Sequence, residues 1–176
     1  QEADGFFINP SYSQDFRIRR SVYQKIIEAR KLLPSGLNFC FYEAYRPLSR
    51  QIELWKNIQS EIRSRYPDMQ GEDFIHLCEN FIANPYDGIG SGHQAACAID
   101  VTLCDSHGGE IDMGTEMHEF NKQTKTDADG IGYEQKRNRR ILSDALHAVE
   151  FQNYPAEWWH FSYGDHQWAW LAKAEH

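Results

Sequence analysis

The run from Cys97 to Cys104, CAIDVTLC, constrains the chain more than any other stretch. It sets a carboxylate, Asp100, between Ile99 and Val101 in what reads as a buried strand. Aspartate is depleted in strands, so Asp100 must be satisfied by a partner if that strand is central. One explanation is a structural aspartate accepting backbone N–H groups from the loop at 88–93; the other is a metal ligand. His93 lies seven positions earlier, in a loop punctuated by Gly88, Gly90 and Gly92. A loop histidine is more often a bystander than a ligand, so this pair alone does not decide.

The rest of the chain reads as one domain spanning 1–176, long enough for a real core and too short for two. Ile18, Val22, Ile26, Ala29 and Leu33 recur at helical spacing over 16–33, and Pro34-Ser35-Gly36 ends that helix. Residues 37–45 are aromatic-rich and strand-like. Pro47 opens a second helix with an apolar stripe from Ile52 to Ile62, and a third is predicted over 72–82. After CAIDVTLC, the segment DSHGGE reads as a turn between two strands, followed by a polar, irregular region from 115 to 132. A helix is predicted over 138–151, a strand at EWWHFSY, and a short closing helix from Gln167. Helices followed by mostly antiparallel strands indicate an α+β fold.

Composition excludes several functions. With 18 Lys and Arg against 26 Asp and Glu, the net charge is -8, which disfavours nucleic acid and anionic membranes as partners. The basic clusters at Arg17, Arg19 and Arg20 and at Lys136 to Arg140 fit solvated helix faces better than binding stripes. No apolar run is long enough to span a bilayer, and no segment has the pattern of a signal peptide. Cys40, Cys78, Cys97 and Cys104 match no zinc-finger or CxxC spacing. Reduced core thiols in a cytoplasmic protein are the expectation; a periplasmic form follows if an N-terminal signal has been removed. Nothing in the sequence sets an oligomeric state.

Two further motifs carry chemistry. In EWWH, Glu157 and His160 stand three apart, so in a regular strand they face opposite sides. They can share one site only through a bulge or an irregular approach to the strand, which Pro155 favours. In YEAYRP, Arg46 ends a strand; it can pair with Glu43 or Glu53, or present a fixed guanidinium to an oxyanion. Taken together, the motifs assemble a site. Two histidines and a carboxylate are an ordinary ligand set for catalytic zinc, with the fourth position left to water. His93, Asp100 and His160 fill it. Glu157 is then available as general base and acid, and Arg46 as the cation that stabilises a tetrahedral oxyanion.

Ser91, His93, Ala98 and Asp100 match the S-x-H-x-x-G-x-A-x-D signature of the zinc D,D-peptidases of the M15 class. YRP at 45–47 and YPAEWWHFSYGD at 154–165 narrow the resemblance to the VanX-type D-alanyl-D-alanine dipeptidases, with DMGT at 112–115 and NRR at 138–140 in support. The similarity runs from about Tyr42 to Trp170. It implies a fold shared with the Hedgehog signalling domain, in which a central antiparallel sheet carries one Zn2+ and helices pack on one side. It implies a small D-Ala-containing peptide as substrate, the same five roles for the residues above, and a part for Ser91 in holding the substrate's C-terminal carboxylate. Two positions depart from the pattern. Ala96 replaces the signature glycine, at a cost of roughly 1 kcal/mol if that position requires positive φ. His118 stands where the dipeptidases carry an acidic residue for the substrate's ammonium, with Glu116 and Glu119 nearby. An enzyme without that acid is expected to tolerate an acylated N-terminal side, as a D,D- or L,D-carboxypeptidase on peptidoglycan stem peptides. A non-catalytic zinc module is the third alternative, and the presence of both Glu157 and Arg46 argues against it.

Overall fold

Burial on both faces decides the centre of the sheet. Strands β2 (Leu37–Glu43) and β3 (Ala98–Asp105) are buried almost throughout, which is why neither alternates apolar with polar residues. They pair antiparallel, with Phe39 opposite Leu103 and Phe41 opposite Val101. β5 (His160–Ser162) continues the sheet beyond β3, and β4 (Gln152–Asn153) forms that edge. β1 (Phe7–Ile8) forms the other edge and is the exception to the antiparallel pattern, running parallel to β2. The computed structural model describes residues 6–9, 16–117, 119 and 121–173, so His118 lies outside the described residues.

The pleat sorts the side chains. Phe39, Phe41, Ile99, Val101, Leu103 and Phe161 face a layer made by Val22, Ile26 and Ala29 of α1 (Arg20–Arg30) and Leu142, Ala145 and Leu146 of α4 (Tyr133–His147). Asp100 and His160 alternate onto the opposite face, directly across from each other. A bulge in β2 then places a third polar residue with them. The register shifts between Phe41 and Glu43, so Glu43 stands opposite Asp100 instead of turning toward the helices. This face is overlooked by α2 (Leu48–Arg65), which packs on α3 (Gly71–Glu79) through Trp55, Ile58, Ile62, Phe74 and Cys78. That pair has its own small apolar cluster.

Four expectations are corrected. DSHGGE does not join two strands: an Asp-stabilised turn follows β3, and only a bridge at Cys104–Glu110 answers the second strand. α4 begins five residues earlier than the apolar periodicity indicates, because its first turn, Tyr133 to Lys136, buries no apolar side chain. α3 ends at Glu79, with a turn carrying the chain on to Ile82. Within the basic cluster at 136–140, Arg139 is not a solvated residue but is 2% exposed. All four cysteines are buried and free, as expected of core thiols. Among the described residues, no helix is long and apolar enough to cross a membrane.

Candidate metal centre and active site

His93 reaches the sheet from a single tight turn over 91–97. Ser91 and Gln94 cap its start reciprocally: the Ser91 hydroxyl accepts from Gln94 N (3.2 Å), and the Gln94 side-chain oxygen accepts from Ser91 N (3.0 Å). Its end is a Schellman closure, with Cys97 N donating to Gly92 O (2.8 Å) and Ala96 N to His93 O (3.0 Å). Ala96 sits at the left-handed position of that closure with φ of 53°, so the position does demand the conformation that glycine takes without strain. Arg19 answers the freed carbonyls, through Nε to Ala95 O (2.8 Å) and through its backbone N to Ala96 O (3.0 Å). Gly92 permits the close approach of this turn, since a Cβ there would fall 2.3 Å from Asp165 Oδ2 and 2.9 Å from the Ala98 Cβ.

Glu157 and His160 share the site through a turn, not a strand. Glu157 N donates to Tyr154 O (3.0 Å) and His160 N to Glu157 O (3.2 Å), so β5 starts only at His160. The irregular approach signalled by Pro155 is what lets residues three apart meet. Trp158 and Trp159 are both buried, stacked edge to face at 5.3 Å.

The three metal-binding candidates converge. Asp100 Oδ1 lies 3.0 Å from His160 Nδ1 and 3.4 Å from His93 Nε2, and the two ring nitrogens are 3.1 Å apart. The outer nitrogens each meet an acceptor: His93 Nδ1 donates to Ala44 O (2.8 Å) and His160 Nε2 to Gln167 Oε1 (3.0 Å). In the tautomer that places each ring's proton on the outer nitrogen, toward these acceptors, both inner nitrogens present lone pairs toward a carboxylate oxygen. Three lone pairs with no proton between them repel unless a cation joins them. Ligands held about 2.0–2.1 Å from one zinc at tetrahedral angles stand roughly 3.3 Å apart, which the observed spacings match. The donor set fits zinc.

Arg46 is 6% exposed beside this cluster. Its Nε and Nη2 grip Glu43 at 3.0 and 2.5 Å, Nη1 donates to Gln51 Oε1 (3.0 Å), and Nη2 stands 3.8 Å from Asp100 Oδ2. Of the two partners foreseen for Arg46, Glu43 is the one used. Gln51, fully buried, passes the contact on by donating to Ala83 O (2.6 Å). Glu157 lines the same cavity, of about 390 Å³, as do Ser91 and the three metal-binding candidates. Burial raises the Glu157 carboxyl to about 7; Asp100 adds to the rise, while His160 and Arg46 oppose it. A carboxyl titrating there can take and return a proton near neutrality.

Glu43, Gln51 and Gln167 were not among the residues singled out from sequence. The one signal available was Glu43, named only as an ion-pair alternative for Arg46. Amides at 51 and 167 on helices look like solvated positions.

The sequence model of the peptidase M15 family, described as D-ala-D-ala dipeptidase, matches residues 18–174. D-alanyl-D-alanine dipeptidase from Synechocystis sp. is 28% identical over 183 residues, covering 90% of this chain and 74% of its own length. The enzyme of the same name from Escherichia coli K12 is 31% identical over 127 residues, covering 72% and 55%. That from Enterococcus faecium is 26% identical, covering 78% and 68%. The chain therefore spans between about half and three quarters of these relatives. Among solved structures, a point mutant of the vancomycin-resistance D,D-pentapeptidase VanY from a VanB-type cassette, in complex with Zn(II), superposes with a TM-score of 0.52 at 19% identity. The match covers 89% of this chain and 82% of that one, and supports the α+β fold. With all but its ends spanned by the family model, the chain belongs to the peptidase M15 family of D-ala-D-ala dipeptidases.

Proposed function

We propose that this chain hydrolyses D-Ala-D-Ala or a closely related D-Ala-containing dipeptide, with one zinc per chain held by His93, Asp100 and His160. The convergence of three lone pairs at 3.0–3.4 Å beside Glu157 carries this reading. Zinc bound there supplies a water of lowered pKa and a polarised scissile carbonyl. Glu157 takes the proton from the attacking water and delivers it to the departing amine, a role its raised pKa suits. Arg46, held by Glu43 and Gln51, has an N–H on each of Nη1 and Nη2 beyond those bonds, and these stabilise the developing oxyanion. The Ser91 hydroxyl accepts from Gln94 N and keeps its own proton for the substrate's C-terminal carboxylate.

Chelation is expected to abolish turnover and zinc to restore it, while Glu157→Ala is inert yet binds one zinc. Full activity after exhaustive metal removal would overturn the reading.

A second substrate reading has a specific observation in its favour. A second cavity of about 450 Å³ shares Glu157 and Tyr154 with the cleft and is walled by α2, Glu119 and residues of 121–125, including Lys122 and Lys125. Such a space suits residues N-terminal to the scissile bond, so D,D- or L,D-carboxypeptidase action on stem peptides is the alternative. Assaying D-Ala-D-Ala beside N-acylated tri-, tetra- and pentapeptides separates the two. Release of D-Ala only from the longer peptides selects the alternative.

A further inference from the structure

Arg139 is a buried cation that spends its hydrogen bonds on a loop. Nε donates to Met113 O (2.8 Å), and Nη1 to Gln123 O (2.9 Å) and Lys125 O (2.6 Å). Nη2 lies 3.5 Å from the Thr115 hydroxyl oxygen, and the guanidinium covers the Trp158 ring at 5.5 Å. Among the described residues it makes no ion pair within 4 Å, so the cost of its burial is offset chiefly by backbone carbonyls. Those carbonyls lie at the two ends of one segment, 113–125, whose described residues carry a single short 3-10 turn, Lys122–Thr124.

That segment in turn grips the turn carrying Glu157. Thr126 N donates to Pro155 O (3.1 Å), the Thr124 hydroxyl to Ala156 O (3.1 Å), and Trp158 N to Thr124 O (2.9 Å). The Trp158 indole N–H donates to the Thr115 hydroxyl (2.9 Å). Residues on both sides of Glu157 are thus fastened to the segment that Arg139 holds, whereas among the described residues Glu157 itself is hydrogen-bonded within its own turn and by Asn153, which donates to its carbonyl (3.0 Å). We propose that Arg139 is a positioning residue for Glu157, acting through Thr115 and Trp158.

The proposal rests on Glu157 as the proton-transferring group, and a small misplacement of such a group far outweighs any effect on binding. The test compares zinc-loaded wild type, Thr115→Val, Thr115→Ser and Arg139→Lys on D-Ala-D-Ala and on an N-acylated pentapeptide. Thr115→Val keeps the side-chain shape but removes the hydroxyl that joins Arg139 to Trp158. It is expected to lower kcat about 10-fold with KM within threefold and one zinc per chain, while the thermal transition falls by a few degrees and remains cooperative because the Trp158 indole N–H loses its acceptor. Thr115→Ser, which keeps the hydroxyl, is expected to retain most of kcat. Arg139→Lys is expected to lose more, about 100-fold; should it fail to fold, the Thr115 pair decides. An active wild type with kcat undiminished in Thr115→Val overturns the brace alone, as does an equal loss in Thr115→Ser. A zinc-loaded wild type silent on both peptides removes the proposed function, and the brace with it.

Discussion

His160 meets Asp100 through Nδ1 and Gln167 through Nε2, so one ring nitrogen is kept bare only because the other has an acceptor. Outer partners of this kind typically account for 10–100-fold in metal affinity. Gln167→Leu is therefore expected to weaken zinc binding by about that factor in a chelator-competition titration, with His93 and Asp100 still in place. Ala96 presents the opposite case, a residue that its backbone does not suit. At φ of 53° an alanine is strained where glycine is not, so Ala96→Gly is expected to stabilise the protein by about 0.5–1 kcal/mol, read as a higher urea midpoint. His93, Asp100, Glu157, His160 and Arg46, which the fold gathers around one cavity, could be singled out in sequence because the proposed zinc hydrolysis calls for those residue types. Gln51, Gln167 and Arg139 were not, since the same side chains on a helix surface would occupy identical positions in the pattern.

The elements differ in how far periodicity could expose them. α1 and α2 bury apolar stripes at helical spacing and announce themselves; β1, two residues long, has no period to read. The bulge that turns Glu43 toward Asp100 also leaves no mark on the sequence, because it is a property of pairing between β2 and β3. α2 and α3 carry a further consequence of their placement. Their five-residue apolar cluster is separate from the main core, so this wall of the cleft is expected to open as a local unit before the sheet does. Phe74, 5% exposed, lies in that cluster. Phe74→Ala is expected to cost about 3–5 kcal/mol locally. Amide exchange should then accelerate across 48–79 well before it does in β2 and β3.

Across the whole molecule, the fold brings Asp100, Glu43 and Glu157 around one cavity beside the buried guanidinium of Arg46. That arrangement favours a divalent cation and penalises the metal-free protein. The penalty is visible at Glu157, whose carboxyl is raised from its ordinary 4.5 to about 7 chiefly by burial. Between those values the folded state binds more protons than the unfolded chain, so stability falls as pH rises from 4.5 to 7 and is level above. At about 1.4 kcal/mol per unit, discounted for the partial solvation of a residue on a cavity wall, the loss is on the order of 2 kcal/mol. Glu157→Gln removes the titrating group and its dependence. Free of metal, the variant is expected to match wild type near pH 4 and to exceed it by that amount at pH 8, measured by urea unfolding. Zinc reverses the balance, because a nearby cation favours the carboxylate and withdraws the penalty. Saturating zinc at pH 8 should therefore raise the unfolding temperature of wild type by more than that of Glu157→Gln. An equal rise in the two would mean that Glu157 stands electrically apart from the metal, and its assignment as the proton carrier would fall with that result.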